Sequence, residues 1–477
     1  MQRRQRATSR GVRIARLIPM NVKLMPLCPC LQERVFSGIS RFFGKIYDAF
    51  SAEFESCRCS SVRSMATALG VLRQQAVRRY LGSTAFAAIG INICITALFK
   101  QVYDITGDPF SIGLLGLAQF VPGLVLAIPS GYIADRFDRR RVTAGFLLLR
   151  LLSIAVLIWF TNSGSTAVSL LVLVAIGIGV ADALISPSRR AILPLIVSTD
   201  DLPRVIALWT ATFTSSAIIG PALAGFLYSV DPSIAYAAAG GSALLSVPLT
   251  LSIRYLPGVA PVADEGRPSV RLALQGLRFI RRSPIVLAAI SLDLFAVLFG
   301  GAVALIPVVA SDRLGVGDVA YGWLRAAPGV GAAAMAVVLA IRPVSRRVGP
   351  TLLVVVAVFG VGTVVFGLTR SYVVAFIALV VLSAADMVSM FIRGAIVPLA
   401  TPPDQLGRVT AVEGVFIGAS NELGAFESGL AARWFGVPWA IAGGGIATIV
   451  IAGAFAIGFP ALRKIDRFDD VEVEVPD

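Results

Sequence analysis

The chain has 477 residues, 56% of them hydrophobic and 15% charged, with a mean hydropathy of +0.82. With 42 Lys and Arg and 28 Asp and Glu, it has too little polar surface to be wrapped in water, which excludes a soluble globular enzyme. A net charge of +14 would suggest nucleic acid in a soluble protein. In a membrane protein, basic residues gather instead on cytoplasmic loops beside anionic headgroups, so the bilayer is the expected partner and nucleic acid is not. Histidine is absent, which removes His triads, His zinc sites and His proton relays.

Residues 1–75 read as a basic extension: 15 of the 42 basic residues precede Tyr80, and no apolar run there is long enough to span a bilayer. The segment is expected to be disordered or to lie upstream of the true start, with Met65 as a plausible initiator, the alternative being an Arg-rich targeting segment. Four of the five cysteines lie in it as Cys28-Pro29-Cys30 and Cys57-Arg58-Cys59, and Cys94 lies in an apolar run. C-x-C is not the usual C-x-x-C spacing of a metal site, so no metal is expected.

From Tyr80 onward twelve apolar runs follow one another, at about 80–103, 110–134, 142–161, 166–187, 204–229 and 233–254, then 285–310, 319–341, 350–369, 371–396, 407–432 and 437–459. Runs of about 20 residues suit helices and are twice the length of a barrel strand. Lys and Arg alternate sharply between connections. One side holds Arg136, Arg139, Arg140 and Arg141, then Arg189, Arg190 and Arg204, six arginines between 254 and 282, and further basic residues to Arg467. The other side holds only Lys100, Arg313, Arg370 and Arg433, which places both termini in the cytoplasm. The expected organisation is a six-helix bundle over 76–255, a cytoplasmic linker over 256–283, a second bundle over 284–460 and a cytoplasmic tail over 461–477.

The halves repeat. A shift of 204 residues lays ADALISPSRRAILPLIVSTDDLPRVIA, from Ala181, on ADMVSMFIRGAIVPLATPPDQLGRVTA, from Ala385, with twelve of 27 positions identical. Matched Asp182 with Asp386, Arg189 with Arg393 and Pro194 with Pro398 are not explained by shared apolar composition. Six-plus-six repeats about a central linker are the layout of alternating-access secondary transporters.

Between the second and third runs stands GYIADRFDRRRV, Gly131 to Val142. It resembles the cytoplasmic signature loop of the major facilitator superfamily, with Gly131, Asp135, Arg136, Arg139 and Arg140 in register and Asp138 where the pattern usually has Gly. The resemblance implies that Gly131 lets two helices touch and that Asp135 and the arginines form a latch holding one gating state. IIGPALAG, with Gly220, Pro221 and Gly225, is similar to the superfamily's antiporter motif, although Thr212 replaces an upstream small residue. LGRVTAVEGVFIGASNELGAFESG, Leu406 to Gly429, is similar to the branch of siderophore and drug exporters driven by protons, with Glu413 and Glu422 where that branch more often has amides. The resemblance covers about residues 76–460 and implies an all-α integral membrane protein, with twelve transmembrane helices in two six-helix pseudo-repeats.

An ionisable side chain in the bilayer costs several kcal/mol unless it meets a partner or a water-filled cavity, so intramembrane charges are the candidates for a proton and substrate pathway. They are Asp182, Asp293, Arg325, Asp386, Glu413, Glu422 and Glu427. At about 100° per residue, Glu413 and Glu427 share a face of their helix and Glu422 points away. A buried carboxylate can load a proton on one side and release it on the other. Asp182 and Asp386, each seven residues before a repeat-equivalent arginine (Arg189, Arg393), are read first as structural partners within each half. Asn92 is as well suited to binding substrate as to bonding a neighbouring helix.

The expected function is secondary active transport: a proton-coupled exporter of a siderophore-like or drug-like small molecule, acting as a monomer in the cell inner (plasma) membrane, with no cofactor and no enzymatic activity. No Walker-type phosphate loop is present. The alternatives are an uptake symporter of the same fold and a non-transporting membrane sensor or secretion accessory.

Overall fold

A computed structural model describes residues 70–256, 270–471 and 473, with the side chains at 127–128, 134–135, 270–273 and 302 outside that description. The expectations placed on residues 1–69, including the paired cysteines, lie outside the described residues. Twelve long helical segments follow in order: α1 Gln75–Thr106, α2 Pro109–Arg136, α3 Arg139–Asn162, α4 Val168–Arg190, α5 Leu202–Tyr228, α6 Pro232–Leu251, α7 Pro284–Phe299, α8 Asp318–Ile341, α9 Val348–Leu368, α10 Tyr372–Ala400, α11 Leu406–Phe435 and α12 Val437–Gly458. Helix α6, with 20 residues, is about 30 Å long at 1.5 Å per residue, enough to cross the hydrocarbon core, and α7, with 16, reaches that length through the helical turns that continue it to Arg313.

The helix ends are written locally. Gly107 takes φ 60° to close α1, and Asp108, followed by Pro109, caps α2 by accepting from Phe110 N–H at 3.0 Å. Asp231 and Pro232 repeat the device at α6. Eleven of the helical segments are both long and apolar enough to span, α7 being counted through Arg313. Here the structure differs from the expected twelve. Helix α11 has 30 residues, but Arg408, Glu413, Glu422, Glu427 and Arg433 lower its apolarity. Its length and packing are those of a spanning helix, and its charges are accommodated by neighbouring helices.

Helices α1, α5 and α6 pack together, as do α2 with α4 and α3 with α4 and α6, which builds the first bundle. In the second, α7 meets α11 and α12, α8 meets α10, and α9 meets α10 and α12. The bundles touch along α5 with α8 and α2 with α11. Two faces are distinguished by their turns: the basic-loop face carries the α2–α3 and α4–α5 turns and the 252–283 connection, and the opposite face carries the α1–α2, α5–α6 and α11–α12 turns. Towards the opposite face one hydrophobic core runs through both halves, uniting Leu98 and Val102 of α1 with Leu305, Val308 and Tyr321 beyond. Towards the basic-loop face the cores are separate, one around Tyr80, Leu193 and Val205 and another around Val286, Leu352 and Ile392. The two bundles therefore share buried apolar surface at one end only, the end where burial holds them together.

Arg189, counted above with the loop charges, and its repeat equivalent Arg393 lie inside helices α4 and α10 instead and are 8% and 5% exposed. The charge asymmetry between the faces survives their removal, because the remaining basic residues are still concentrated on one side. Within the expected linker, Val270–Arg282 is a helix that buries Phe279 and Ile280 and brings Gly276 against Arg408 of α11. The tail folds back: Gly349 N–H donates to Ile465 O at 3.0 Å, and Phe468 meets the Phe391 ring of α10 edge-on.

Candidate functional site

The signature loop ties the ends of the first bundle together. Asp138 caps α3 by accepting from Arg140 N–H at 2.9 Å, and the Arg140 guanidinium donates to the same carboxylate at 2.7 and 3.1 Å and to Ile253 O at 2.7 Å. The guanidinium lies 4.2 Å from the Tyr255 ring centroid, and Tyr255 O–H donates to Asp138 at 3.2 Å. The Arg140 guanidinium holds the Asp138 carboxyl down at about 2. Burial next to that carboxylate pushes the Tyr255 hydroxyl up to about 12. Arg139 donates to Ala191 O at 2.8 Å, beyond the end of α4, and Arg136 meets Tyr132 on its own helix. The side chain of Asp135 lies outside the described residues. The expectation for Gly131 is not met in this conformation: a Cβ there would have nothing within 4 Å, because the halves are apart at this face.

The opposite face is closed by contacts between the halves. Lys100 of α1, 7% exposed, pairs with Asp104 and reaches Asp318 at the start of α8 at 3.3 Å. Tyr103 bonds Asp312, Tyr321 O–H donates to Thr96 O at 2.9 Å, and Arg433 pairs with Asp108 at 3.5 Å. Phe110 and Phe426 meet edge-on with centroids 5.7 Å apart. None of these residues was singled out from sequence as a site residue, since each stands near a helix end and looks like an ordinary loop charge or aromatic.

The antiporter-like motif supplies the close approach that this closure needs. A Cβ on Gly225 would lie 2.4 Å from Asp318 O and 2.6 Å from Gly322 Cα, and one on Gly322 would lie 2.7 Å from Pro221 O. Gly220 lies against Asn92, where a Cβ would come within 2.4 Å of the Asn92 Cβ, and the Asn92 amide donates to Ala88 O of its own helix at 2.8 Å. The repeat extends to these contacts. The 204-residue shift carries Gly220 and Gly225 onto Gly424 and Gly429. Gly424 meets Gly301, and Gly429 meets Gly113 of α2. The two seams between halves, α5 with α8 and α2 with α11, are thus built on equivalent glycines, since only a missing Cβ lets helix backbones approach so closely.

The intramembrane charges divide into unequal groups. In the second half, Arg393 pairs with Asp293 of α7 at 2.7 Å, both side chains being at most 7% exposed. Asp293 also feels the charges of Asp386 and Glu413. Asp293, Asp386 and Ser389 line a small cavity with Val356 and Phe359, with room for about one water. Three carboxylates therefore gather around one guanidinium. In the first half the sign is reversed: Asp182 contacts Arg150 of α3, and Arg189 is near enough for its charge to act on Arg150. In both halves the salt bridge runs between helices, from Asp182 to Arg150 of α3 and from Arg393 to Asp293 of α7. Arg150 was missed, although an arginine in the middle of an apolar run gave the same signal as Arg325.

Arg325 donates to Val303 O at 2.9 Å and sits 5.5 Å from the Phe99 ring centroid across the seam. Glu422, on the other side of α11 from Glu413, has its carboxylate against Gly116 of α2 and feels the charge of Arg325. Glu427 is partly buried, and among the described residues no cation pairs with it.

The Major Facilitator Superfamily model matches residues 80–392. An uncharacterized MFS-type transporter of Bacillus subtilis strain 168, YfiS, is 25% identical over 409 residues, covering 81% of this chain and 93% of that protein. The enterobactin exporter EntS of Escherichia coli O1:K1 is 26% identical over 346 residues, covering 70% and 78%. Among solved structures, a bacterial homologue of the lysosomal transporter Spinster, inward-facing and occupied, superposes with a TM-score of 0.62 at 14% identity, covering 82% of this chain and 96% of the other. A D-xylose–proton symporter also gives 0.62 at 14% identity, covering 80% and 96%. With its signature loop, its paired bundles and its glycine seams accounted for, this chain belongs to the major facilitator superfamily.

Proposed function

We propose that the chain is a proton-coupled exporter of siderophore-like or drug-like organic molecules, lying in the cell inner membrane with both termini and the basic-loop face in the cytoplasm. The observation that carries this reading is the cluster of Asp293, Asp386 and Glu413 about the Arg393 guanidinium. One guanidinium neutralises one carboxylate, and protons taken up by the others neutralise the remainder; their release restores the charge. In a low-dielectric site such a change in charge is worth enough to bias which end of the protein is closed.

In this conformation the Lys100–Asp318 and Arg433–Asp108 pairs seal the outer end. Substrate enters from the cytoplasmic cleft, and the cluster gives up its protons on that side. When the halves rock about the glycine seams, substrate leaves outward and protons reload the carboxylates. Export rather than uptake is favoured by the antiporter-like motif and by the likeness to an enterobactin exporter.

The test is transport by the full-length protein in proteoliposomes under an imposed pH gradient, with a panel of siderophores and antibacterials outside and a pH dye inside. The expected result is proton flux that depends on a compound of the panel and disappears in Asp293→Asn. Accumulation of the compound in the direction of proton flow would assign uptake symport, and flux of neither species for any compound would remove the transport assignment.

A further inference from the structure

We propose that the first half holds an anion-binding subsite at Arg150, where the carboxylate of an organic acid takes the place of Asp182. The inference rests on the transport reading above and names the chemical class of its substrate.

The two halves carry opposite charge at the same depth. Asp293, Asp386 and Glu413 outnumber Arg393 in one, while Arg150 and Arg189 outnumber Asp182 in the other. Arg150 and Arg189 are 4% and 8% exposed. Among the described residues, every buried side-chain N–H donor without an acceptor lies in the first half: Gln119 Nε2, Arg150 Nε, Arg189 Nε and Nη2, and Trp209 Nε1. Arg150 Nε is thus a buried donor without an acceptor beside Asp182, and a carboxylate brings two oxygens with about four lone-pair sites and a negative charge.

Two of these donors, on Gln119 and Arg150, share one level with Asp182. The Gln119 backbone lies against Gly179 of α4, one turn from Asp182, and Asp182 meets Arg150. This level is about 12 Å from the basic-loop end of α4 at 1.5 Å per residue. The Asp182 side chain is 42% exposed while that of Arg150 is 5% exposed. A carboxylate in the bilayer is tolerated only towards protein or a water-filled cavity, so the open side of Asp182 is aqueous. Asp182 is thus a movable internal anion covering a fixed cation. An incoming carboxylate displaces it and takes over the fork of Arg150, the geometry in which guanidinium recognises carboxylate best. Arg189, two turns nearer the basic-loop end, draws anions towards the site.

The test uses the full-length protein in nanodiscs and measures binding of tritiated 2-naphthoate in competition with 2-naphthamide, which has nearly the same shape and no charge. The wild type is expected to favour the acid at least tenfold. Asp182→Asn removes the internal competitor and is expected to tighten 2-naphthoate several-fold without changing the amide. Arg150→Gln abolishes the preference; should that variant fail to fold, Asp182→Asn decides alone. Absence of a preference for the acid, including absence of binding by either probe, overturns the proposal, as does unchanged or weakened acid binding in Asp182→Asn. A carboxylate preference without proton-dependent flux would leave the subsite standing and remove the exporter reading, and flux without the preference would do the reverse.

Discussion

Adding one methyl group at Gly225 brings a Cβ to 2.4 Å from Asp318 O and 2.6 Å from Gly322 Cα. Both obstacles are backbone, so no side chain can turn aside. Ordinary contact begins near 3.4 Å, and α5 and α8 must therefore separate by about 1 Å. Overpacking of this kind costs about 1–3 kcal/mol. Here the cost falls on one conformation only, because the clash exists only while the opposite face is closed. The equilibrium between closed and open forms at that face is expected to shift about 5- to 150-fold towards the open form. The assay is a distance distribution between spin labels at Val230, in the α5–α6 turn, and Arg370, before α10, in a background without the native cysteines. Gly225→Ala should add a longer-distance population. Gly131→Ala, where a Cβ meets nothing within 4 Å, should not. A distribution in folded Gly225→Ala identical to the parent, or the same change in both variants, would refute the assignment of the glycine seam as the closure.

Removing Arg393 and removing Asp293 are expected to differ. Arg393→Gln leaves Asp293, Asp386 and Glu413 without their cation and should cost about 3–5 kcal/mol; Asp293→Asn leaves Arg393 with two other acids and should cost less, so thermal unfolding in detergent should rank wild type above Asp293→Asn above Arg393→Gln. The Asp138 carboxyl, held at about 2 against an ordinary 3.8, stabilises the folded loop fully above about pH 4, and that contribution is lost as pH falls through about 2. At a partly exposed pair screening limits it to about 1 kcal/mol, so Asp138→Asn should lower the melting temperature between pH 5 and 7 and converge on wild type near pH 2. A Cβ on Gly349 would lie 1.8 Å from Leu462 O; Gly349→Ala should release the tail, detected as faster tryptic cleavage at Arg463 and Lys464.

Much of the fold was legible because bilayer physics acts on composition. Twelve apolar runs, the turn prolines and Asp108 before Pro109 each constrain only their own neighbourhood, and that constraint is readable one segment at a time. The helix missing from the apolar count, α11, is the one that carries Arg408, Glu413, Glu422, Glu427 and Arg433. The site was legible by residue type but not by partner. Asp293, Asp386, Glu413 and Arg393 were visible as intramembrane charges, yet the Asp293–Arg393 pair joins positions 100 residues apart. No periodicity within one helix contains that information. The same holds for Lys100 with Asp318, whose meeting depends on which face of α1 turns towards α8.

The sequence by itself determined the solvent, the number of long helices, their charge asymmetry and the duplication, because each follows from local hydropathy or from a direct match between the halves. Only the tertiary structure decided which charges pair, which end is closed and where the glycines do their work. Those outcomes depend on helix rotation and on approach distances of an ångström or two, which no local pattern fixes. Gly131 and Gly225 both stand in recognisable motifs, yet in this conformation one faces open space and the other holds two helix backbones together. Steric contact is a property of the packed pair, and it changes with the state of the transporter while the sequence does not.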